Sequence, residues 1–241
     1  MKKIAFFVEG PTEADFVRRL LQEYTSRRCL MRVYAGIGGK KFKRTFKLVY
    51  SDNNTGQEYA IHIYISSTDN RVNSDVRDSL PTLYRAGFTA VVSLKDLRGN
   101  KSQGVPKTLA DLPAMETIDN TLFRHANPPV NPIIAVMEVE TWFIAETNHY
   151  SNIDSGLTRT LIESNVASLE ANPYTDNLTL VTKPAEMLDN IYQLRGKHYR
   201  KDEVSRQCTV NALDYANLYM NVSARLLKLN DFFMKLDSIF S

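Results

Sequence analysis

Acidic residues follow three apolar runs of the chain, each at the point where the run ends. Glu9 ends "IAFFVE", Asp96 ends "AVVSLKD", and Glu138 and Glu140 end "PIIAVMEVE". Each run is short and apolar, which is typical of a buried β-strand. In an open sheet of parallel strands, binding sites form outside the carboxyl ends of the strands. We therefore expect these four carboxylates to meet at one edge of a sheet.

Carboxylates gathered in this way predict a divalent metal site. Mg²⁺ takes oxygen ligands and is commonly held by one or two carboxylates together with substrate phosphates. Without a cation, clustered carboxylates repel one another, and some of their pKa values rise. If Val139 keeps strand geometry, Glu138 and Glu140 face the same way, because side chains alternate along a strand. The alternative is that acids follow these strands only because loops are polar.

The elements that would position these acids alternate between strands and helices. The predicted strands are Ile4–Val8, Met31–Ala35, His62–Ser66, Thr89–Leu94 and Ile133–Met137. Thr12 is expected to cap the first helix, with Asp15 completing a short capping box. Further helices are predicted over Val72–Ala86, with Pro81 as a potential break, over Leu109–Arg124, and as a long amphipathic stretch over Val222–Phe240.

This alternation predicts an α/β fold with a mainly parallel sheet flanked by helices. The sheet and its helices are expected in residues 1–146. Residues 147–241 read as a helical extension packed on the same core. We predict no internal repeat and no low-complexity linker.

Composition narrows the class of protein. Hydrophobic residues make up 43% of the 241 residues and charged residues 24%, with a net charge of only +3. No segment approaches the roughly 18 apolar residues of a membrane span. Cys29 and Cys208 lie far apart, and neither has CxxC-type spacing, so neither a disulfide framework nor a zinc site is indicated. We expect a cytoplasmic protein with no membrane partner.

A basic segment over residues 26–47 contains no acid and includes aromatic residues. Its candidate nucleic-acid-binding side chains are Lys40, Lys41, Lys43, Arg44 and Lys47, with Lys95 and Lys101 added near Asp96. Cationic side chains neutralise phosphates, and aromatic rings can stack on unpaired bases. The alternative is a solvated loop whose phenylalanines pack into the core.

The stretch "FFVEGPTEADFVRRLL" resembles the first motif of the Toprim fold, a Rossmann-like arrangement in which a strand delivers a glutamate and a glycine-containing turn leads into a helix. The chain most resembles small bacterial Toprim-like proteins of unknown function associated with defence genes. Further points of likeness are "DLRG" at Asp96, "EVETWF" at Glu138, and the tail with Tyr199 and Lys201. The resemblance covers most of the chain in the expected order.

The resemblance implies Mg²⁺- or Mn²⁺-dependent chemistry on a phosphodiester. Carried over by position, Glu9 is implied as a general base or an organiser of water, and Asp96 as the principal metal ligand. Glu138 and Glu140 are implied to complete the metal site. The broad Toprim pattern has a second aspartate where this chain has Arg98, which we take as a candidate catalytic residue able to bind a phosphate.

Two functions follow as the main competing hypotheses, and a third, less favoured one is an enzyme that acts on a nucleotide rather than on a polymer. The first is a Toprim-type nuclease or related phosphotransfer enzyme, acting on DNA or RNA as an antiphage defence effector. The second is a catalytically degenerate Toprim-like module that binds nucleic acid or a protein partner, such as the product of a neighbouring defence gene. Arg98 favours the second hypothesis, and the retained acids favour the first.

Overall fold

The computed structural model describes residues 1–38, 44–52, 57–67, 69–97 and 107–241. Within this part of the chain, six strands form one sheet in the order β3-β2-β4-β1-β5-β6. The strands are β1 (Lys2–Val8), β2 (Cys29–Ile37), β3 (Thr45–Ser51), β4 (Tyr59–Ile65), β5 (Phe88–Asp96) and β6 (Val130–Ala135). All neighbouring pairs are parallel except β2 and β3, which are antiparallel. The prediction of an α/β fold with a mainly parallel sheet flanked by helices is confirmed.

Three helices accompany the strands in the N-terminal part of the chain: α1 (Pro11–Tyr24), α2 (Asp69–Arg85) and α3 (Leu112–Phe123), the last preceded by a 3₁₀ turn at Leu109–Asp111. Pro81 lies inside α2 and does not end it. The prediction of Thr12 as the helix cap is wrong, because α1 begins at Pro11 and Thr12 lies in its first turn. Pro11 suits that position because the first helical residue needs no N–H donor.

The C-terminal part of the chain consists of short helical segments. They are α4 (Glu140–Ala145), α5 (His149–Ile153), α6 (Arg159–Ser164), α7 (Pro184–Gln193), α8 (Glu203–Ala212), α9 (Tyr215–Asn217), α10 (Ser223–Arg225) and α11 (Leu227–Phe240), with 3₁₀ turns at Val166–Ser168 and Leu178–Leu180 and a π-helical turn at Leu218–Val222. The predicted single helix over Val222–Phe240 is therefore interrupted. Leu226 has an extended backbone, with φ −122° and ψ 97°, and separates α10 from α11.

The central strands of the sheet are buried on both faces, which explains why β1 has a continuous apolar run. Ile4, Phe6 and Val8 of β1 join the larger core cluster, while Ala5 and Phe7 join a second cluster on the other face. The larger cluster includes residues of α1, α4, α7 and α11. One apolar core therefore extends from the sheet into the C-terminal helices.

A buried carboxylate ties the C-terminal helices together. Glu146, directly after α4, accepts hydrogen bonds from the backbone N–H groups of Asn148, His149 and Asp214 at 3.0–3.1 Å, and from the side-chain amide of Asn217 at 2.6 Å. Acceptance of several hydrogen bonds by the ionised form lowers the pKa of Glu146 despite its burial. In the described part of the chain, no helix combines the length and apolar character needed to cross a membrane.

Candidate active site

The ends of β1 and β5 place two of the predicted acids side by side. Glu9 directly follows β1, and Asp96 is the last residue of β5, the parallel strand next to β1. The backbone N–H of Asp96 donates to Glu9 Oε2 at 3.4 Å. Glu9 is partly buried, whereas Asp96 is only 5% exposed. The edge of the sheet therefore holds one accessible and one enclosed carboxylate.

The turn between β6 and α4 brings the other two predicted acids to the same edge. The strand ends at Ala135, and Met137 adopts a left-handed backbone with φ 60°. Val139 has helical dihedral angles, so the strand geometry that would make Glu138 and Glu140 face the same way by alternation is absent there. The two carboxylates nevertheless reach a common point, because Lys201 Nζ lies 3.6 Å from Glu138 Oε2 and 3.0 Å from Glu140 Oε1.

Glu140 is the most enclosed of these acids. Its side chain has no exposed surface, and Tyr199 Oη donates to its Oε1 at 2.8 Å. Its Oε2 is buried and has no hydrogen-bond partner. A buried carboxylate oxygen without a partner is costly, and such groups are typical of sites built for a ligand or a reaction.

Glu13, in the first turn of α1, is a fifth acid at this site. It is 4% exposed, and its Oε2 accepts a hydrogen bond from the N–H of Gly10 at 2.8 Å. Burial raises the pKa of Glu13 to about 7, and repulsion from Glu140 adds to the rise. We refer to Glu9, Glu13, Asp96, Glu138 and Glu140 as the acid cluster.

Asp96 has the electrostatic signature of a crowded, desolvated site. Burial raises its pKa well above the usual range, and the carboxylates of Glu13 and Glu140 raise it further. The ammonium of Lys201 opposes this rise. Carboxylates whose pKa values rise through mutual repulsion are stabilised by any cation that enters the site.

Lys201 provides a positive charge in contact with the acid cluster. Its side chain is 44% exposed, and its backbone is left-handed with φ 53°. Burial by itself lowers the pKa of Lys201, but attraction to Glu140 and Glu138 outweighs it and raises the pKa. The lysine therefore remains charged in contact with the acids.

The acid cluster offers the carboxylate oxygens that a hard cation prefers as ligands, and Lys201 lies among them. Carboxylate oxygens suit Mg²⁺ and Mn²⁺, and the unpartnered Glu140 Oε2 is a free buried ligand atom. Among the described residues, however, no group of three or more Asp, Glu, His or Cys side chains is arranged to hold a metal ion. The type of ligand atom therefore suits such an ion, whereas the present positions of the side chains are those of a site that holds the ammonium of Lys201.

Comparison with known proteins identifies a family. The model described as "Domain of unknown function (DUF4276)" matches residues 8–222, which include every residue of the acid cluster and Lys201. The chain belongs to this family. No curated protein and no solved structure matched the chain.

Several predicted site residues of this DUF4276 protein lie outside the described residues: Arg98, Lys40, Lys41, Lys43 and Lys101. Lys47 lies in β3, the edge strand of the sheet, and its side chain is exposed. The structure therefore leaves Lys47 accessible to a phosphate. The strand itself was not predicted, since residues 36–47 read as a loop.

Two other predicted nucleic-acid-binding residues of the DUF4276 chain are engaged inside the protein. Lys95 is 5% exposed, and its Nζ lies 2.7 Å from Asp119 Oδ2. Arg44 Nη2 lies 2.8 Å from Asp75 Oδ2 and donates to the carbonyl of Ser66 at 2.7 Å. In this arrangement both cations are paired with carboxylates, and their part in nucleic-acid binding stays a prediction.

Sequence reasoning missed three residues of this DUF4276 site. Glu13 stands in the sequence only as a member of the first motif, and Tyr199 and Lys201 only as members of the tail that resembles the family. Lys201 is 61 residues beyond Glu140, and it reaches the site only because the segment between α7 and α8 passes over the acid cluster. The sequence did offer one indication of their role. Glu13 shares the first motif with Glu9, and Tyr199 and Lys201 share the tail that resembles the family.

Proposed function

We propose that this chain is a Toprim-type, divalent-metal-dependent enzyme that cleaves phosphodiester bonds in nucleic acid. The observation that carries the proposal is the meeting of five carboxylates from β1, α1, β5 and the β6–α4 turn at one edge of a parallel sheet. Strand ends at such an edge are the usual location of active sites in open α/β folds. Strongly raised pKa values at Asp96 and Glu13 support a site shaped by function.

The residues of the acid cluster divide between enclosed and accessible positions. Asp96, Glu138 and Glu140 are the ligands that would hold Mg²⁺ or Mn²⁺, with Glu9 completing the set. When bound, the cation supplies Lewis-acid polarisation of the phosphoryl oxygens and neutralises charge that develops there. Glu9, which is only partly buried, is suited to accept the proton of an attacking water molecule. The water oxygen bonds to phosphorus, the ester P–O bond breaks, and a proton passes to the leaving oxygen.

An exposed lysine of β3 supports nucleic acid as the substrate class, because nucleic acid is a polyanion. Lys47 offers a phosphate contact that requires no base sequence. The role in antiphage defence implied by the resemblance, and the choice between DNA and RNA, stay predictions.

A second candidate function is a degenerate Toprim-like module that binds nucleic acid or a protein partner without catalysis. The observation that favours it is the contact of Lys201 with both Glu138 and Glu140. A permanent internal cation can replace a metal ion as the charge that stabilises clustered acids.

Cleavage assays with Mg²⁺ and Mn²⁺ on single- and double-stranded DNA and RNA test the proposal. The variants are Glu9→Gln and Asp96→Asn, which keep the size of each side chain and remove its charge. Asp78→Asn is the matched control, because Asp78 is 67% exposed and pairs with its neighbour Arg77. We expect cleavage by the wild type and by the control, and a loss of at least about a hundredfold in both site variants.

The other outcomes are also informative. Cleavage that survives both site substitutions would exclude the acid cluster as the active centre. An absence of cleavage on every substrate, together with an absence of Mn²⁺ binding by calorimetry, would favour the binding module.

A further inference from the structure

Lys201 occupies the position of a cation within the acid cluster. Its Nζ contacts one oxygen of Glu140 at 3.0 Å and one of Glu138 at 3.6 Å. We propose that Lys201 is the resident counter-ion of the acid cluster, that a divalent cation displaces its ammonium, and that the freed ammonium binds a phosphate of the substrate. This inference rests on the proposed function, since it concerns the same site.

The crowding of acids at the site favours such a counter-ion. Glu140 is fully buried, and Asp96 and Glu13 are nearly so, yet all three face one another closely enough to repel. Buried charges are tolerated when they are paired. Lys201 carries a single charge, whereas a divalent cation carries two, so exchange of one for the other neutralises the acids more completely.

The structure separates a fixed backbone from a side chain that is free to move. The guanidinium of Arg206 donates to the carbonyl oxygen of Lys201 at 2.6 Å and to Asp15 Oδ2 at 3.2 Å, which anchors this part of the chain to α1. The side chain of Lys201, in contrast, is 44% exposed and ends a flexible four-carbon stem. Its ammonium can leave the acids without a change in the fold.

The carboxylate that Lys201 would leave stays in place. Tyr199 donates to Glu140 Oε1 at 2.8 Å and is itself 4% exposed, so this hydrogen bond holds the orientation of Glu140. The other oxygen of Glu140 has no partner and is available as a ligand. The released ammonium would remain beside the site, where it would be free to bind a phosphate of the substrate. Cation binding and phosphate binding are therefore coupled through one side chain.

Calorimetric titration with Mn²⁺ tests the displacement, using the full chain and the variants Lys201→Gln and Lys201→Arg. Lys228→Gln is the matched control, because Lys228 also bridges two carboxylates, Glu116 and Asp231, at 2.6 Å each, outside the acid cluster. We expect Lys201→Gln to bind Mn²⁺ at least about tenfold more tightly, since a competing charge has been removed. Lys201→Arg and the control should bind like the wild type.

Chemical labelling of the wild type tests the same displacement without any substitution. Acetylation of lysines by an N-hydroxysuccinimide ester, mapped by mass spectrometry, reports which ammonium groups are free. We expect the labelling of Lys201 to rise several-fold on addition of Mn²⁺, and that of Lys228 to stay constant. Addition of a short phosphorothioate oligonucleotide should then protect Lys201 again.

The results distinguish this inference from the proposed function. If the wild type binds Mn²⁺ and cleaves, while Lys201→Gln binds no more tightly and the labelling of Lys201 does not change, only the counter-ion role is overturned. Weaker Mn²⁺ binding by Lys201→Gln, restored in Lys201→Arg, would make Lys201 a support for the ligands and also overturn it. If neither the wild type nor Lys201→Gln binds Mn²⁺, both proposals fail.

Discussion

Asp96 Oδ1 accepts a hydrogen bond from the backbone N–H of Val139 at 3.1 Å. This bond joins the end of β5 to the turn that carries Glu138 and Glu140, so one carboxylate helps to position two others. Asp96 therefore has a structural role, as a hydrogen-bond acceptor, and an electrostatic cost, as a buried charge among acids. Substitutions can separate the two.

Asp96→Asn is expected to make the metal-free protein more stable. The amide oxygen can still accept from Val139, while the charge repelled by Glu13 and Glu140 is gone. We therefore expect the free energy of unfolding at pH 8 to be higher for Asp96→Asn than for the wild type. Urea denaturation measures it.

Asp96→Ala provides the comparison for this prediction. It removes the acceptor as well as the charge and leaves the N–H of Val139 without its partner, which costs about 1–3 kcal/mol. Asp96→Ala should therefore be less stable than Asp96→Asn. Equal stability of the two variants would show that the hydrogen bond to Val139 has no structural weight.

The acids at the strand ends could be predicted from the sequence, because an apolar run followed by an acid specifies both a strand and its end. This pattern placed Glu9 and Asp96 at one edge of the sheet. Glu13 and Lys201 could not be assigned in the same way. Glu13 lies in an amphipathic helix where a first-turn glutamate is ordinary, and the contact of Lys201 depends on the path of a loop.

Local sequence patterns predicted some elements of the fold and missed others. The buried strands were predictable because both of their faces are apolar. The strand β3 was not, since it is an edge strand whose short apolar run, Leu48–Tyr50, is exposed and follows a basic segment. Pro81 did not predict the end of a helix. Its side chain is exposed, and a proline can remain within a helix that tertiary contacts hold in place. The end of β6 was misplaced, since Val136 and Met137 are apolar and buried but belong to the turn.

Glu13 should make the stability of the protein depend on pH between 5 and 8. Its pKa is about 7 in the folded protein and 4.5 as its ordinary value, so the folded state binds a proton more tightly than the unfolded state. The stability cost of Glu13 is therefore greatest above pH 7 and falls as the pH drops toward 5, by about 2 kcal/mol.

Comparison with Glu13→Gln isolates this effect. The free energy of unfolding of the wild type, minus that of the variant, should rise as the pH falls from 8 to 5. Urea denaturation in metal-free buffer at each pH provides both values. A difference that stays constant across this range would contradict the raised pKa of Glu13.

Lys95 and Lys47 allow a structural lysine to be distinguished from a nucleic-acid-binding one. Its ammonium contacts Asp119, which is 1% exposed and also accepts from the side-chain amide of Asn73 at 2.7 Å. Lys95→Met leaves a buried carboxylate without its counter-ion, and breaking such a pair costs about 3 kcal/mol or more. Lys47→Gln removes a charge from an exposed strand and should leave stability unchanged within about 0.5 kcal/mol.

Nucleic-acid binding should show the reverse order for these two substitutions. In a plot of log Kd against log salt concentration, the loss of one phosphate contact lowers the slope by about one. We expect this change for Lys47→Gln and not for Lys95→Met, measured by fluorescence anisotropy with a labelled single-stranded oligonucleotide. Addition of Asp119→Asn to Lys95→Met should recover part of the lost stability, because the unpaired charge is then absent. A folded Lys95→Met protein with a reduced salt dependence would instead show that Lys95 leaves Asp119 and binds a phosphate.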